Sequence, residues 1–169
     1  ALGDFSLTEL TAGDHNIALG NQTLNSATST NIQDNIAIGK YSMKDGVVTG
    51  DNNTGLGSQT LNNLTSGQSN LAIGSGSMGL GTVTSNDNIA IGNFALEDNT
   101  SGGNNIAIGS GSLASATDNI GNIALGFEAL KTSANDGDRN IAIGYQAMKT
   151  GDVSGADHVS IGSLALEDL

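Results

Sequence analysis

The fold of this chain is decided by a short stretch that reads Asn88-Ile89-Ala90-Ile91-Gly92-Asn93-Phe94-Ala95-Leu96. Its first five residues alternate large apolar with small side chains, which is the two-residue period of a β-strand. The run is too short for a helix, and its glycine disfavours one. We therefore predict a short strand, a sharp turn at Gly92, and a second short strand around the small-Leu pair.

The strand motif of this stretch recurs along the whole chain. Its copies start at Asn16, Asn35, Asn53, Asn70, Asn88, Asn105, Asn122 and Asn140, with a degenerate copy at His158. Successive closing glycines lie 17 to 19 residues apart, and each is followed by Gly-x-x-small-Leu/Met. The chain starts and stops within a repeat, so residues 1–169 are expected to be a single repeat domain cut from a longer array.

A fixed period with turn-rich connections predicts a solenoid. Ser, Thr, Asn, Asp and Gly dominate the residues between the motifs, and these residue types form turns. The predicted fold is all-β, a parallel β-solenoid of about ten coils with 17–19 residues each. The absence of Pro fits this fold, because every coil must donate its amides to the next.

Stacking in register turns each repeat position into a column, and the small central column of the strands stands out. We expect the two large residues of each strand to fill the core with the Leu/Met column, and the small residue to point away. A solvated face would carry longer polar side chains, so this small column predicts a lengthwise interface in a homotrimeric rod. The predicted interface residues are Ala18, Ala37, Ala72, Ala90, Ala107, Ala124 and Ala142.

The Asn column and the corner Gly column have mainly structural interpretations. Asn accepts left-handed or bridging backbone angles and can ladder its amide onto the Asn of the next coil. The alternative is an ion or ligand held by the stacked amides. The corner glycines are expected to supply a positive φ.

All five aromatic residues fall in the two variable positions that follow a corner glycine, which we call the corner slots. They are Phe5, Tyr41, Phe94, Phe127 and Tyr145. Packing between subunits is the favoured interpretation. The functional alternative is a surface that contacts a glycan or protein receptor.

Acidic residues gather in the loops that precede the strands: Asp14, Asp34, Asp51, Asp87, Asp118, Asp136, Asp138, Asp152 and Asp157. Turn formation and solubility account for most of them. Calcium also takes oxygen ligands from loops, but the known calcium-loop signatures are absent from the sequence. The main expectation is therefore no cofactor or metal, and calcium bound by the loops stays open as the alternative.

Composition excludes several functional classes. Five basic residues face 17 acidic ones, for a net charge of −12, which argues against nucleic acid or anionic membranes as partners. The sequence contains no run of about 18 apolar residues, so no membrane-spanning segment is expected. With no Cys, and with His15 and His158 near opposite ends of the chain, we see no catalytic constellation and expect no enzymatic activity.

The frame Asn-x-Ala-Ile-Gly-x-x-Ala-Leu resembles the repeats of trimeric autotransporter adhesin heads, which form a left-handed parallel β-roll. The longer period, with Gly102-Gly103-Asn104-Asn105 before a strand, is more similar to repeats of bacteriophage tail fibres. The resemblance covers essentially the whole chain. It implies a left-handed, homotrimeric, extracellular rod for host or surface attachment, on a virion tail fibre or a bacterial surface.

Two functions of other classes stay open at this point. An ice- or mineral-binding solenoid would need a flat column of Thr or regular acids, and the Thr residues do not share one column. A tailspike-type glycan-degrading enzyme would need two carboxyl groups facing each other across a cleft.

Overall fold

A computed structural model describes residues 1–8, 12–25, 32–132, 137–149 and 155–166 of the chain. Within these ranges it contains eleven short strands and no helix. The strands are β1 Gly13–Asp14, β2 Ile17–Leu19, β3 Ile32–Gln33, β4 Ile36–Ile38, β5 Thr54–Leu56, β6 Leu71–Ile73, β7 Ile89–Ile91, β8 Ile106–Ile108, β9 Ile123–Leu125, β10 Ile141–Ile143 and β11 Val159–Ile161.

Nine of these strands form one parallel sheet. Its order is β2, β4, β5, β6, β7, β8, β9, β10, β11, so the strand of each repeat lies beside the strand of the next. The register sets Ile89 beside Ile106 and Ala90 beside Ala107. β1 and β3 form a separate parallel pair. The chain is therefore an all-β solenoid of stacked parallel strands, as predicted, and eight steps of roughly 4.8 Å make this sheet about 38 Å long.

The predicted second strand of each repeat is wrong. The segment after each corner glycine is a series of turns, in which alternate residues adopt left-handed angles, such as Phe94 (φ 57°) and Leu96 (φ 50°). It still bonds to both neighbouring coils, because the N–H of Phe94 donates to Ser75 O at 3.0 Å and that of Leu96 donates to Ser112 O at 3.0 Å. Left-handed residues bend the chain at every second position, so the segment curls where a strand would run straight.

The predicted orientation of the strands is also wrong. The seven alanines assigned to a subunit interface, Ala18, Ala37, Ala72, Ala90, Ala107, Ala124 and Ala142, are at most 2% exposed inside the chain's own coil. The large aliphatic residues on either side of them point outward. An alanine buried in this way has no surface left to contact a second chain.

The opposite wall of the coil explains why only a small residue fits inside the strand. At Gly55, which takes the alanine position in β5, an added Cβ would lie 2.7 Å from Ser42 Oγ and 2.9 Å from Thr60 Oγ1. The small column does mark the close approach of another segment, but that segment belongs to the same chain.

The coil interior is filled by the Leu/Met column and by apolar residues from the loops. The Leu/Met prediction is confirmed for eight members of the column, which are fully buried: Leu24, Met43, Leu61, Met78, Leu96, Leu113, Leu130 and Met148. Leu166, the member in the last coil, is 42% exposed. Val48, Leu64 and Val83, which sequence reasoning missed, are buried with them. Leu64 and Val83 pair in a parallel bridge between adjacent coils.

The asparagine column forms a buried ladder, which confirms its structural interpretation. Oδ1 of Asn88 accepts the backbone N–H of Asn105 at 3.0 Å and the side-chain N–H of the same residue at 3.1 Å. The Asn88 amide nitrogen donates to Gly102 O at 2.9 Å, which ties the loop to the ladder. The left-handed residue is the one that precedes each asparagine, such as Asp87 (φ 59°), rather than the asparagine itself.

The bond from backbone N–H to the preceding asparagine Oδ1 joins each of the eight pairs of neighbouring coils in the main sheet. Its donors are Asn35, Asn53, Asn70, Asn88, Asn105, Asn122, Asn140 and His158.

The corner glycines have the predicted positive φ, and close stacking gives a second reason for them. Gly92 has a φ of 137°, and an added Cβ would lie 2.5 Å from the carbonyl oxygen of Gly109 in the next coil. Any other residue there would be strained and would also separate the coils.

The inward orientation of the alanine column can be tested by enlarging one of its members. Ala107→Leu should lower the free energy of unfolding by about 1–3 kcal/mol, because the added carbons overpack the coil. Urea denaturation followed by circular dichroism measures the change. The control is Ser110→Leu, at an exposed corner slot where the next coil carries Phe127. Equal stability of the two variants would contradict this packing.

Removing one rung of the ladder should destabilise the chain more than removing an exposed amide. Asn88→Ala leaves the buried N–H of Asn105 without its acceptor, and we expect a loss of about 2–3 kcal/mol. The matched control is Asn93→Ser, because the same corner slot holds serine in other coils, as at Ser75. Similar denaturation midpoints for both variants would show that the ladder contributes little.

Candidate interaction surface

The outward side chains of the nine-stranded sheet form one continuous apolar surface, which we call the aliphatic face. It consists of two columns: Ile17, Ile36, Thr54, Leu71, Ile89, Ile106, Ile123, Ile141 and Val159, and Leu19, Ile38, Leu56, Ile73, Ile91, Ile108, Leu125, Ile143 and Ile161. Thr54 is the one position that is not aliphatic. Each side chain is partly or largely exposed; Ile108, in the middle of the sheet, is 40% exposed.

The dimensions of the aliphatic face are those of an interaction surface. It follows the sheet for about 38 Å, and its two columns stand about 7 Å apart on each strand. The largest apolar patch of a typical monomer covers about 300–600 Å² and is often functional. A strip this long on a chain with only 37% hydrophobic residues is a candidate interaction surface.

One edge of the aliphatic face is lined by the polar residues that precede the asparagines. Several of these side chains hold the loops together: Asp51 accepts the N–H of Gln33 at 2.8 Å, and Asp138 accepts that of Ile120 at 2.8 Å. These contacts agree with a turn-forming role for the loop acids. Asp136 and Asp152 lie outside the described residues.

The other edge carries the corner slots and their aromatic rings. Phe5, Phe94, Phe127 and Tyr145 are 45–62% exposed. Only Phe127 and Tyr145 are brought together; their rings stack with centroids 5.5 Å apart and planes 13° apart. The other rings stand singly along the rod, so the five aromatic residues do not form one site.

Tyr41 differs from the other aromatic residues in its charged surroundings. Lys40 Nζ lies 4.6 Å from its ring centroid and Lys44 Nζ lies 5.0 Å from it. Lys44 also pairs with Asp45 at 2.6 Å, and this hydrogen bond lowers the pKa of the Asp45 carboxyl. A cation between a ring and a carboxylate stabilises the corner locally.

Glu128 is the centre of a charge cluster at the corner slots. Its carboxylate pairs with Lys131 at 2.7 Å and Lys149 at 2.8 Å, and it accepts a hydrogen bond from Gln146 at 2.8 Å. The hydrogen bonds from Lys131, Lys149 and Gln146 lower the pKa of Glu128 to about 2. The cluster links adjacent coils on the side of the rod where Phe127 and Tyr145 stack.

The two histidines lie in different surroundings. His15 Nδ1 is 3.3 Å from Asp34 Oδ1 on the surface, while His158 replaces the asparagine at the end of the ladder and its Nδ1 is 3.0 Å from Asn140 Oδ1. In the described ranges no three His, Asp or Glu side chains are placed to share a metal ion. No helix in the described part of the chain has the length and hydropathy needed to cross a bilayer.

No protein-family model, curated protein or solved structure matches this chain.

The charge cluster predicts how acid affects stability. The folded-state pKa of Glu128 is about 2, below its usual value of 4.5, so its contribution is complete above pH 4.5 and is lost as the pH falls toward 2. Glu128→Gln should therefore lose less stability than the unmodified chain between pH 4.5 and 2. Thermal unfolding at a series of pH values measures this difference.

Glu97→Gln provides a control of opposite sign. Burial, with a contribution from nearby Asp98, raises the pKa of Glu97. Protonation of Glu97 on acidification therefore stabilises the folded state relative to the unfolded state. Its replacement should increase the acid-induced loss. If both variants follow the pH dependence of the unmodified chain, the cluster does not act as described.

Proposed function

We propose that this chain is a stiff segment of a homotrimeric attachment fibre, of the kind found on bacteriophage tails. The observation that carries the proposal is the aliphatic face, which runs the length of the sheet and which none of the described residues covers. The resemblance of the repeat frame to tail-fibre repeats supports the same role. In this proposal the rod is extracellular, and cell-surface glycans or proteins are its targets.

The aliphatic face replaces the alanine column as the proposed subunit interface. Three chains that turn this face toward a common axis bury all of their aliphatic columns in one central core, which is the closed arrangement expected of a cyclic assembly. The loop acids then remain outside. Three chains at −12 each carry −36, which favours a soluble fibre that resists lateral aggregation.

The proposed role is mechanical and adhesive, without a catalytic step. The asparagine ladder and the stacked corner glycines fix the distance between coils, so the number of coils sets the reach of the fibre. The corner slots lie beside the central core and point outward, where they are available for contacts with a target. Their residues differ from coil to coil while the frame stays the same.

The oligomeric state tests this proposal directly. Sedimentation equilibrium of the chain should give three times its mass of 16.9 kDa. The double variant Ile108→Asp, Ile143→Asp should sediment as a single chain, because buried, unpaired carboxylates at a central core cost several kcal/mol each. Circular dichroism is expected to retain its β-signal, since both side chains point out of the coil.

The matched control places the same charges elsewhere. Ser101→Asp, Ser115→Asp changes two exposed residues outside the strands and should remain trimeric. A monomeric unmodified chain would overturn the proposal, as would a trimer that persists with both aspartates in the aliphatic face.

A further inference from the structure

A small depression opens on the outside of the rod beside the corner slots of three successive coils. It holds about 50 Å³ and is lined by Gln59, Asn62, Gly76, Leu80, Phe94 and Glu97. Its lining combines one aromatic ring, one aliphatic side chain, two amides and one carboxylate. This is the mixture of apolar surface and a few polar groups that marks small-molecule sites.

The depression exists because the regular pattern is interrupted at one coil. Gly76 occupies a corner slot that holds Gln59 in the coil before it and Phe94 in the coil after it. The Phe94 ring leans over the space that a side chain would fill, since a Cβ added to Gly76 would lie 2.6 Å from both Cδ1 and Cε1 of that ring. Because Gly76 has no side chain, its backbone forms the floor of the depression, and Phe94 forms one wall.

The apolar lining is accessible from solvent. Phe94 is 48% exposed and Leu80 is 63% exposed, so a ligand can reach both side chains. One face of an exposed ring on a rigid frame can stack against the C–H groups of a flat, saturated ring without a large loss of side-chain entropy. A sugar ring supplies such a face.

The polar lining has hydrogen-bonding capacity to spare. Asn62 donates from Nδ2 to Asp45 Oδ2 at 2.9 Å, while its buried Oδ1 receives no hydrogen bond from the described residues. Burial and the neighbouring Asp98 raise the pKa of Glu97, and the charge of Lys131 partly offsets this shift. A ligand hydroxyl in the depression would supply a donor to the Glu97 carboxylate.

We propose that this depression binds one uncharged hexopyranose residue of a surface glycan. The sugar ring stacks on Phe94, and one of its substituents enters the cavity, since about 50 Å³ is too small for the whole ring. Anionic sugars are disfavoured by Glu97 and Asp98 and by the net charge of −12. This inference rests on the proposed attachment role and adds that the segment itself contacts the target.

Saturation-transfer-difference NMR of the full 169-residue chain tests the proposal. The probes are chitobiose, lactose and maltose, with 3′-sialyllactose as the charged comparison. We expect weak binding of at least one neutral disaccharide and a weaker signal for the sialylated one. Phe94→Ala should reduce the affinity several-fold to about tenfold, as expected for the loss of an aromatic stacking partner.

Two matched controls separate binding from folding. Gly76→Gln fills the depression with the residue found at the equivalent position 59 and should abolish binding. Gly111→Gln makes the same change at a slot with the same φ of 68°, where an added Cβ meets only Glu128 Cγ at 3.3 Å, and should leave binding intact. Phe5→Ala, at an equivalent slot in the first coil, should also bind normally.

The outcomes distinguish this inference from the proposed function. Absence of binding to all three neutral disaccharides would overturn the inference, as would binding that survives both Phe94→Ala and Gly76→Gln. Neither result would alter the sedimentation test of the trimer. A monomeric chain that binds sugar would refute the trimeric fibre and leave the site in place.

Discussion

A ladder of buried asparagine amides fixes how each coil sits on the next, and the remaining structure depends on that spacing. The ladder runs from Asn16 to the backbone N–H of His158 without a break. Each Oδ1 accepts the next backbone N–H at hydrogen-bond distance, so neighbouring coils can neither separate nor slip along the strand. At this spacing the corners lie so close that a residue such as Gly92 must lack a Cβ.

The narrow coil that results cannot enclose all of its apolar residues. The strand lies so close to the opposite wall that only small side chains, such as those of Ala90 and Ala107, fit between them. The neighbouring isoleucines therefore lie outside the coil. A single chain therefore has a small core of Leu, Met and a few loop residues, beside an aliphatic face of similar length. Burial of apolar area is the main favourable term in folding and association, so the proposed trimer would stabilise this thin solenoid by burying its aliphatic face.

The repeat keeps its frame constant while the residues in the corner slots vary from coil to coil. Phe127 and Tyr145 form a stacked pair, Tyr41 lies beside two lysines, and Gly76 opens a depression below Phe94. Each is a different local surface on the same backbone. A slot can change its side chain without loss of the ladder, because the ladder is formed by the asparagine column. Only the second slot of a corner, such as Phe94, has left-handed angles; Phe127 and Tyr145 occupy the first slot.

The sequence by itself determined the coil period, the parallel stacking, the buried Leu/Met column, the asparagine ladder and the corner glycines. These features depend on spacing and side-chain chemistry, and both can be observed in one dimension. Alternation defines two faces of a strand without showing which face is inside. The short distance across the coil, which is evident at Gly55, decided that the alanine face is the inner one. The left-handed angle of Leu96 was hidden because leucine seldom adopts it, and Val48 and Val83 lie in loops of unequal length with no fixed offset. The depression at Gly76 appears only when three coils are stacked, because its walls come from residues about one repeat apart that meet through the tertiary structure alone.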